Sequence, residues 1–245
     1  MPRTCDVVVT PDGSCPVSLH TPAAPGPWPG IVMYPDAGGA RATFRAMADK
    51  LAGYGYAVLV PDVYYRDGDW APFNMTTVFA NEDERNRLFG MIAKVTPQHI
   101  ATDANAFFDY LQAQPEVSGT RFGTTGYCMG GRISLVVAGR APDRVAAAMS
   151  FHGGGLVTDG PGSPHLLADR VRAAIYVGAA ESDRSFTAAD GRVLDEALTA
   201  AGVEHTIDFY PAFHGFAVPD NPPYDEPAAR RHWVTTKSFF AAHLG

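Results

Sequence analysis

The chain has 245 residues, with 26 acidic and 19 basic side chains and a formal net charge of −7, and is 46% hydrophobic but only 18% charged. That apolar content excludes a disordered chain, the acidic balance argues against nucleic acid or an anionic membrane surface as partner, and no apolar run approaches the roughly 20 residues that span a bilayer. Three cysteines are too few, and odd in number, for a disulfide scaffold, so they are read as thiols.

The N-terminus, Met1 to Asp6, meets its first acid too early for a secretory signal, which leads to the expectation of a cytoplasmic protein. Asp6–Thr10 and Ser18–His20 read as strands joined into an antiparallel hairpin across Pro11-Asp12-Gly13-Ser14. After a proline-rich surface connection from Thr21 to Pro29, short β-branched runs alternate with helical patterns. The remaining strands are expected at Gly30–Tyr34, Ala57–Pro61, Arg121–Tyr127, Val145–Phe151, Ala173–Gly178 and His205–Tyr210. Helices fit Arg41–Gly53, Ile100–Ala113, Met129–Gly139, Ala188–Ala201 and Pro227–Leu244. In the last of these, Trp233, Phe240 and Leu244 share one face. The pattern predicts a mostly parallel eight-stranded sheet covered by helices on both faces, in a single domain of residues 1–245. One interval is too long for a connection. Residues 64–99 are aromatic early (Tyr64, Tyr65, Trp70, Phe73, Phe79) and charged later, and an insertion of that size after a strand end is expected near the functional site.

Gly126-Tyr127-Cys128-Met129-Gly130 stands between a predicted strand and a predicted helix. It is G-x-C-x-G, the cysteine form of the nucleophile elbow, whose glycines are needed because a side chain there would collide with neighbouring backbone. The elbow sets Cys128 at a helix N-terminus, where the macrodipole favours a thiolate. The alternative is a buried cysteine acting only as a small hydrophobe. A thiol nucleophile needs a base, and the base an orienting acid. Asp183, with Glu181 as runner-up, lies at the end of the seventh strand, and His214 lies on the loop after the eighth. The order nucleophile, acid, histidine is that of α/β-hydrolases.

With these motifs the chain resembles the dienelactone hydrolase family along nearly its whole length, also through Ile31-Val32-Met33-Tyr34-Pro35-Asp36 and Gly55–Tyr64. The resemblance implies an α/β-hydrolase fold and a Cys–His–Asp hydrolase of small esters or lactones, with Cys128, His214 and Asp183 as triad. It further implies an oxyanion hole from the backbone N–H groups of Ala37 and Met129, and no cofactor or metal. Asp36 stands where family members carry a thiol-modulating glutamate. Of the arginines that hold a substrate carboxylate, the one expected after His214 is missing, and Arg87 or Arg85 is the candidate for the other; Tyr127 is a further pocket candidate. A carboxylate is best held by a bidentate guanidinium, so the missing arginine argues against dienelactone itself. The expected partner is a small-molecule ester or lactone, and the chain is expected to be a monomer or homodimer.

Other features fit plainer roles. Phe151-His152-Gly153-Gly154-Gly155 resembles a lipase oxyanion loop but follows the wrong strand, so it is read as pocket floor. Trp70, Phe73 and Phe79 fit either a pocket lining or a small core of the insertion. The histidines 20, 99, 165, 205, 232 and 243 show no metal spacing. A cysteine amidotransferase would want His-x-Glu where His214-Gly215-Phe216 stands. A non-catalytic binding or redox scaffold, with Cys128 an oxidisable thiol, is the second reading.

Overall fold

In the computed structural model, which describes residues 1–244, one eight-stranded sheet runs through the molecule in the order β1-β2-β4-β3-β5-β6-β7-β8. The strands are β1 (Arg3–Thr10), β2 (Gly13–His20), β3 (Trp28–Tyr34), β4 (Ala57–Pro61), β5 (Val117–Tyr127), β6 (Val145–Phe151), β7 (Ala174–Ser182) and β8 (His205–Phe213). β1 and β2 form the N-terminal hairpin, and β2 joins β4 antiparallel; every other pairing is parallel. The hairpin is tighter than expected: Thr10 pairs with Gly13, leaving Pro11-Asp12 as a two-residue turn.

The alternation of side chains along each central strand feeds two cores. On β3, Val32 and Tyr34 face one core while Ile31 and Met33 face the other. The first core lies under helices α3 (Pro97–Ala113), α4 (Met129–Arg140) and α5 (Ala188–Ala200); the second lies under α1 (Ala42–Ala52) and α6 (Glu226–His243). Trp233, Phe240 and Leu244 are all buried in that second core. Local chemistry sets the helix starts. Thr187 and Asp190 form a reciprocal capping box on α5, Asp225 caps α6, and Thr96 caps α3 with Pro97 in its first turn.

The charge run beginning at Asn81 is the solvated start of a further helix, α2 (Glu82–Lys94), capped by the Asn81 side chain. α3 begins three residues earlier than the apolar period indicated, because Pro97 can occupy a helix start. β3 lies between β4 and β5, so the loops that leave the C-terminal ends of β3 and β5 diverge around a crevice, the place where open α/β sheets gather ligands.

Candidate active site

Cys128 follows β5 and caps α4 with φ 53° and ψ −115°, a backbone conformation that non-glycine residues rarely adopt. Two glycines make the turn possible. A Cβ on Gly126 would sit 2.0 Å from the Gly130 carbonyl oxygen, and one on Gly130 would sit 2.2 Å from that of Tyr34. The turn is held from below by the Cys128 N–H, which donates to Phe151 O at 3.1 Å.

The acid and the histidine are brought together by strand register. Ser182 on β7 is paired with Phe213 on β8, so the next residue of each strand, Asp183 and His214, emerge side by side. His214 Nδ1 is 2.6 Å from Asp183 Oδ2, while Asp183 Oδ1 accepts from the Ser185 N–H at 2.8 Å and the Ser185 hydroxyl at 2.6 Å. This leaves Nε2 for Cys128. Burial alone would lower the proton affinity of His214; the hydrogen bond to Asp183 and the neighbouring Cys128 sulfur overcome it and raise its pKa to about 10. Burial likewise works against the Asp183 carboxylate, and its bonds to His214 and Ser185 hold its pKa below the ordinary value. Glu181 is exposed at the irregularity between Ala180 and Ser182 in the β7–β8 pairing.

A cavity of about 290 Å³ opens over Cys128 and His214, walled by Asp36 and Ala37, by Met75 and Phe79 of the insertion, and by Gly215 and Asn221–Pro223. The N–H of Ala37 donates to no protein group among the described residues, and that of Met129 is an orphan of the first helical turn. The loop carrying Ala37 is pinned from above and below. The buried Tyr64 hydroxyl donates to Ala37 O at 2.9 Å and lies 3.5 Å from Met129 Sδ. Trp70 packs so closely on Gly39 that a Cβ there would meet its ring at 2.6 Å.

Asp36 does not face the thiol freely. Its carboxylate is clamped by Arg41, Nη1 to Oδ1 at 2.6 Å and Nη2 to Oδ2 at 3.1 Å, and also accepts from the Gly38 N–H and the Asn221 amide. Arg41 in turn binds Asp220 through Nε and Nη2, both at 2.7 Å. The clamp ties the loop after β3 to the loop after His214. Arg41, Asp220 and Ser185 carry no site signal in the sequence, whereas Tyr64 belongs to the aromatic start of the insertion expected near the site. Asp220 and Arg41 are 179 positions apart, while Ser185 stands two residues past the acid.

Three sequence candidates lie elsewhere. Tyr127, the residue before Cys128, points into the second core, where it is fully buried and its hydroxyl is 2.9 Å from His232 Nε2. That follows from strand alternation, which turns neighbours to opposite faces. Arg87 lies over the Phe73 ring, binds Glu84 and Ala71 O, and lines a different cavity beside Asp67, Trp70 and Lys94. Arg85 binds Phe79 O, behind the aromatic ring that lines the cavity. Of Trp70, Phe73 and Phe79, Phe79 lines the cavity, while Trp70 packs on both Phe73 and Tyr64.

The glycine-rich loop after β6, expected as pocket floor, does not line the cavity; it packs behind His214. His152 is fully buried at φ 38°, its N–H bound to Gly178 O at 2.7 Å. Its ring stands edge-on between those of His214 and Phe216, at 5.2 Å from each, and both its ring nitrogens lack a partner among the described residues. Burial, with His214 and His232 nearby, pushes its pKa well down, so the ring is neutral. Among the described residues no group of three or more His, Cys, Asp or Glu is gathered as a metal site requires, and no helix is long and apolar enough to cross a membrane.

Comparison with known proteins agrees with this architecture. Residues 16–244 match the dienelactone hydrolase family. A Synechocystis sp. protein named "Putative carboxymethylenebutenolidase" is 27% identical over 230 residues, covering 92% of this chain and 91% of its own. Among solved structures, a "Putative Dienelactone Hydrolase" from Klebsiella pneumoniae superposes with a TM-score of 0.85 at 23% identity, over 99% of both chains. A dienelactone hydrolase-like promiscuous phosphotriesterase from metagenomic libraries superposes with a TM-score of 0.78 at 25% identity, over the whole of both chains. The chain belongs to the dienelactone hydrolase family and is a hydrolase with the α/β-hydrolase fold.

Proposed function

We propose that the chain hydrolyses a small carboxylic ester or lactone through a Cys128–His214–Asp183 triad and a thioester intermediate. The observation that carries this reading is that His214, 2.6 Å from Asp183 through Nδ1, lines one cavity with a thiol on a strained elbow. His214, made more basic than free imidazole, takes the Cys128 proton as Sγ attacks the acyl carbon. The N–H groups of Ala37 and Met129 receive the developing oxyanion, each such donor contributing about 3 to 4 kcal/mol to the barrier reduction. Collapse expels the alkoxide, which takes the proton from His214; water, deprotonated by the same ring, then attacks the thioester, releases the acid and returns the proton to Cys128. Residues 1–245 act as one catalytic unit, with the 64–99 insertion lending Met75 and Phe79 to the substrate wall.

Asp183→Asn tests the assignment of the acid. The substitution keeps the shape but removes the charge that orients and stabilises the imidazolium, so turnover of an activated short-chain ester is expected to fall by about 10⁴, as in serine triads. A loss below about tenfold would refute Asp183 as the orienting acid.

A further inference from the structure

Ser18, His20 and Asp49 form a second chain of hydroxyl, imidazole and carboxylate, apart from Cys128. Ser18 Oγ is 2.9 Å from His20 Nε2, and His20 Nδ1 is 2.8 Å from Asp49 Oδ1. The strand and helix periods assemble it. Ser18 and His20 stand two apart on β2 and share a face, opposite to the face through which Cys15, Val17 and Leu19 enter the first core. α1 packs on that face, bringing Asp49 to His20 and Arg45, one turn earlier, to the same side.

The Asp49 carboxylate can only accept, so the His20 proton sits on Nδ1 and Nε2 keeps its lone pair for the Ser18 hydroxyl, which donates. Burial outweighs the bond to Asp49 and holds the His20 pKa below the usual histidine value, with Arg3 and Arg45 acting in the same sense. The ring is therefore neutral at pH 7. A neutral imidazole oriented by a carboxylate and bonded to a serine hydroxyl is the arrangement that activates serine nucleophiles.

Ser18, 7% exposed, lines a cavity of about 420 Å³ that shares no lining residue with the one over Cys128. Arg3 and Arg45 line it too, and neither guanidinium has a hydrogen bond or ion pair with any described residue. The two acids at its border are engaged elsewhere, Asp6 by the Tyr110 hydroxyl and Asp62 by the Trp70 indole. The charged groups free to meet a ligand are thus the two guanidiniums. β2 is paired on both sides, Ser18 with Cys5 and with Val60, which commits the backbone N–H groups around the hydroxyl to the ladder and leaves no amide hole for a carbonyl oxyanion. Guanidinium forks fit the oxygens of a phosphoryl group instead.

We propose that Ser18 is a phosphoryl acceptor: its hydroxyl, activated by His20 and Asp49, takes a phosphoryl group from a reactive phosphate ester whose oxygens are held by Arg3 and Arg45. Ser18 Oγ forms a bond to phosphorus, the bond from phosphorus to the leaving oxygen breaks with its electron pair, and the serine proton passes to His20 Nε2. The site does not depend on the triad at Cys128.

The probe is 2,4-dinitrophenyl phosphate, from which dinitrophenolate leaves, with diisopropyl fluorophosphate as a neutral companion from which fluoride leaves. Both are applied to Cys128→Ala, so that the first cavity offers no thiol, and the label is located by peptide mass spectrometry. Both reagents are expected to modify Ser18 and to leave Ser14, exposed on the same strand, unmodified. Asp49→Asn, at a position whose side chain is 38% exposed, is expected to slow both by about a hundredfold or more. Arg45→Gln is expected to slow the phosphate monoester by about tenfold or more while the neutral reagent reacts nearly as fast as before.

No label on Ser18 from either reagent, label on Ser14 at a similar rate, or a Ser18 rate indifferent to Asp49→Asn would overturn the proposal and leave the three residues as buried polar groups that satisfy one another. Label from the fluorophosphate alone would overturn it as well, since the guanidiniums would then hold no phosphate. Because Cys128 is absent from the assay, none of these outcomes bears on the hydrolase reading.

Discussion

Removing the Arg41 guanidinium exposes how much of the site is held by charge. In Arg41→Met the guanidinium, which also lies 4.9 Å over the Phe44 ring, is replaced by a neutral thioether and both carboxylates lose their cation. The two halves of the clamp differ in environment. The Asp36 side chain is 2% exposed and that of Arg41 11%, so this half is a buried pair whose one-sided removal costs about 3–5 kcal/mol. Asp220 is 38% exposed and Thr43 still serves it, so its half contributes at most about 1 kcal/mol. The sum, about 3–6 kcal/mol, is a large share of the roughly 5–15 kcal/mol that holds a folded domain, and lowers Tm by roughly 6–24 °C in a chain of this length. Urea unfolding followed by tryptophan fluorescence reads the change directly. Since most of the loss comes from an uncompensated buried carboxylate, adding Asp36→Asn to Arg41→Met is expected to recover a substantial part. A loss below about 1 kcal/mol in the single variant, or no recovery in the double, would refute the account of Arg41 as the buried tie between the loop after β3 and the loop after His214.

Two further outcomes follow from the histidines. The His152 ring wedged between His214 and Phe216 makes it a positioning residue, so His152→Phe is expected to keep most of kcat, whereas His152→Ala loses about 10- to 100-fold in kcat with little change in KM. Equal losses in both variants would mean that the imidazole nitrogens, not the ring's bulk, matter. For His214 the folded pKa is raised from 6.5 to about 10, so its contribution to stability is full below pH 6.5 and fades as pH rises through about 10, the folded chain keeping a proton that the unfolded chain has released. His152 and His232 have lowered pKa values and take up protons only on unfolding, below about pH 6.5, which destabilises wild type and Asp183→Asn alike and leaves the difference between them intact. Unfolding free energies of wild type and Asp183→Asn at pH 6, 8 and 10 are expected to converge towards pH 10; parallel curves would contradict the raised pKa.

The parts of the site readable from sequence are those whose chemistry is local. The elbow is legible because Gly126 and Gly130 are imposed by backbone atoms within a few residues or on the adjacent strand. Asp183 and His214 are legible because both stand at the ends of strands with strong apolar patterns, which the parallel register then sets side by side. The Asp36–Arg41–Asp220 clamp is not legible, since nothing near Arg41 announces that a loop 179 residues away will return to it. Arg87 was misplaced for a related reason. Its charge suggested a ligand, but its direction depends on how α2 packs on the insertion, where it lies over Phe73 instead of reaching the thiol. Strand edges show the same division. β7 and β8 run three to four residues beyond their apolar cores, through Glu181-Ser182 and Pro211-Ala212-Phe213, because pairing with each other outweighs the weak propensity of those residues.

The most direct test of the central claim is the intact mass of the protein, mixed rapidly with 4-nitrophenyl butyrate and quenched in acid, for wild type and Cys128→Ala. The account predicts a butyryl adduct on wild type that maps to Cys128, forms and decays at rates competent for turnover, and vanishes together with ester hydrolysis in Cys128→Ala. Turnover undiminished in Cys128→Ala, or an adduct mapping to Cys5 or Cys15 instead, would contradict it.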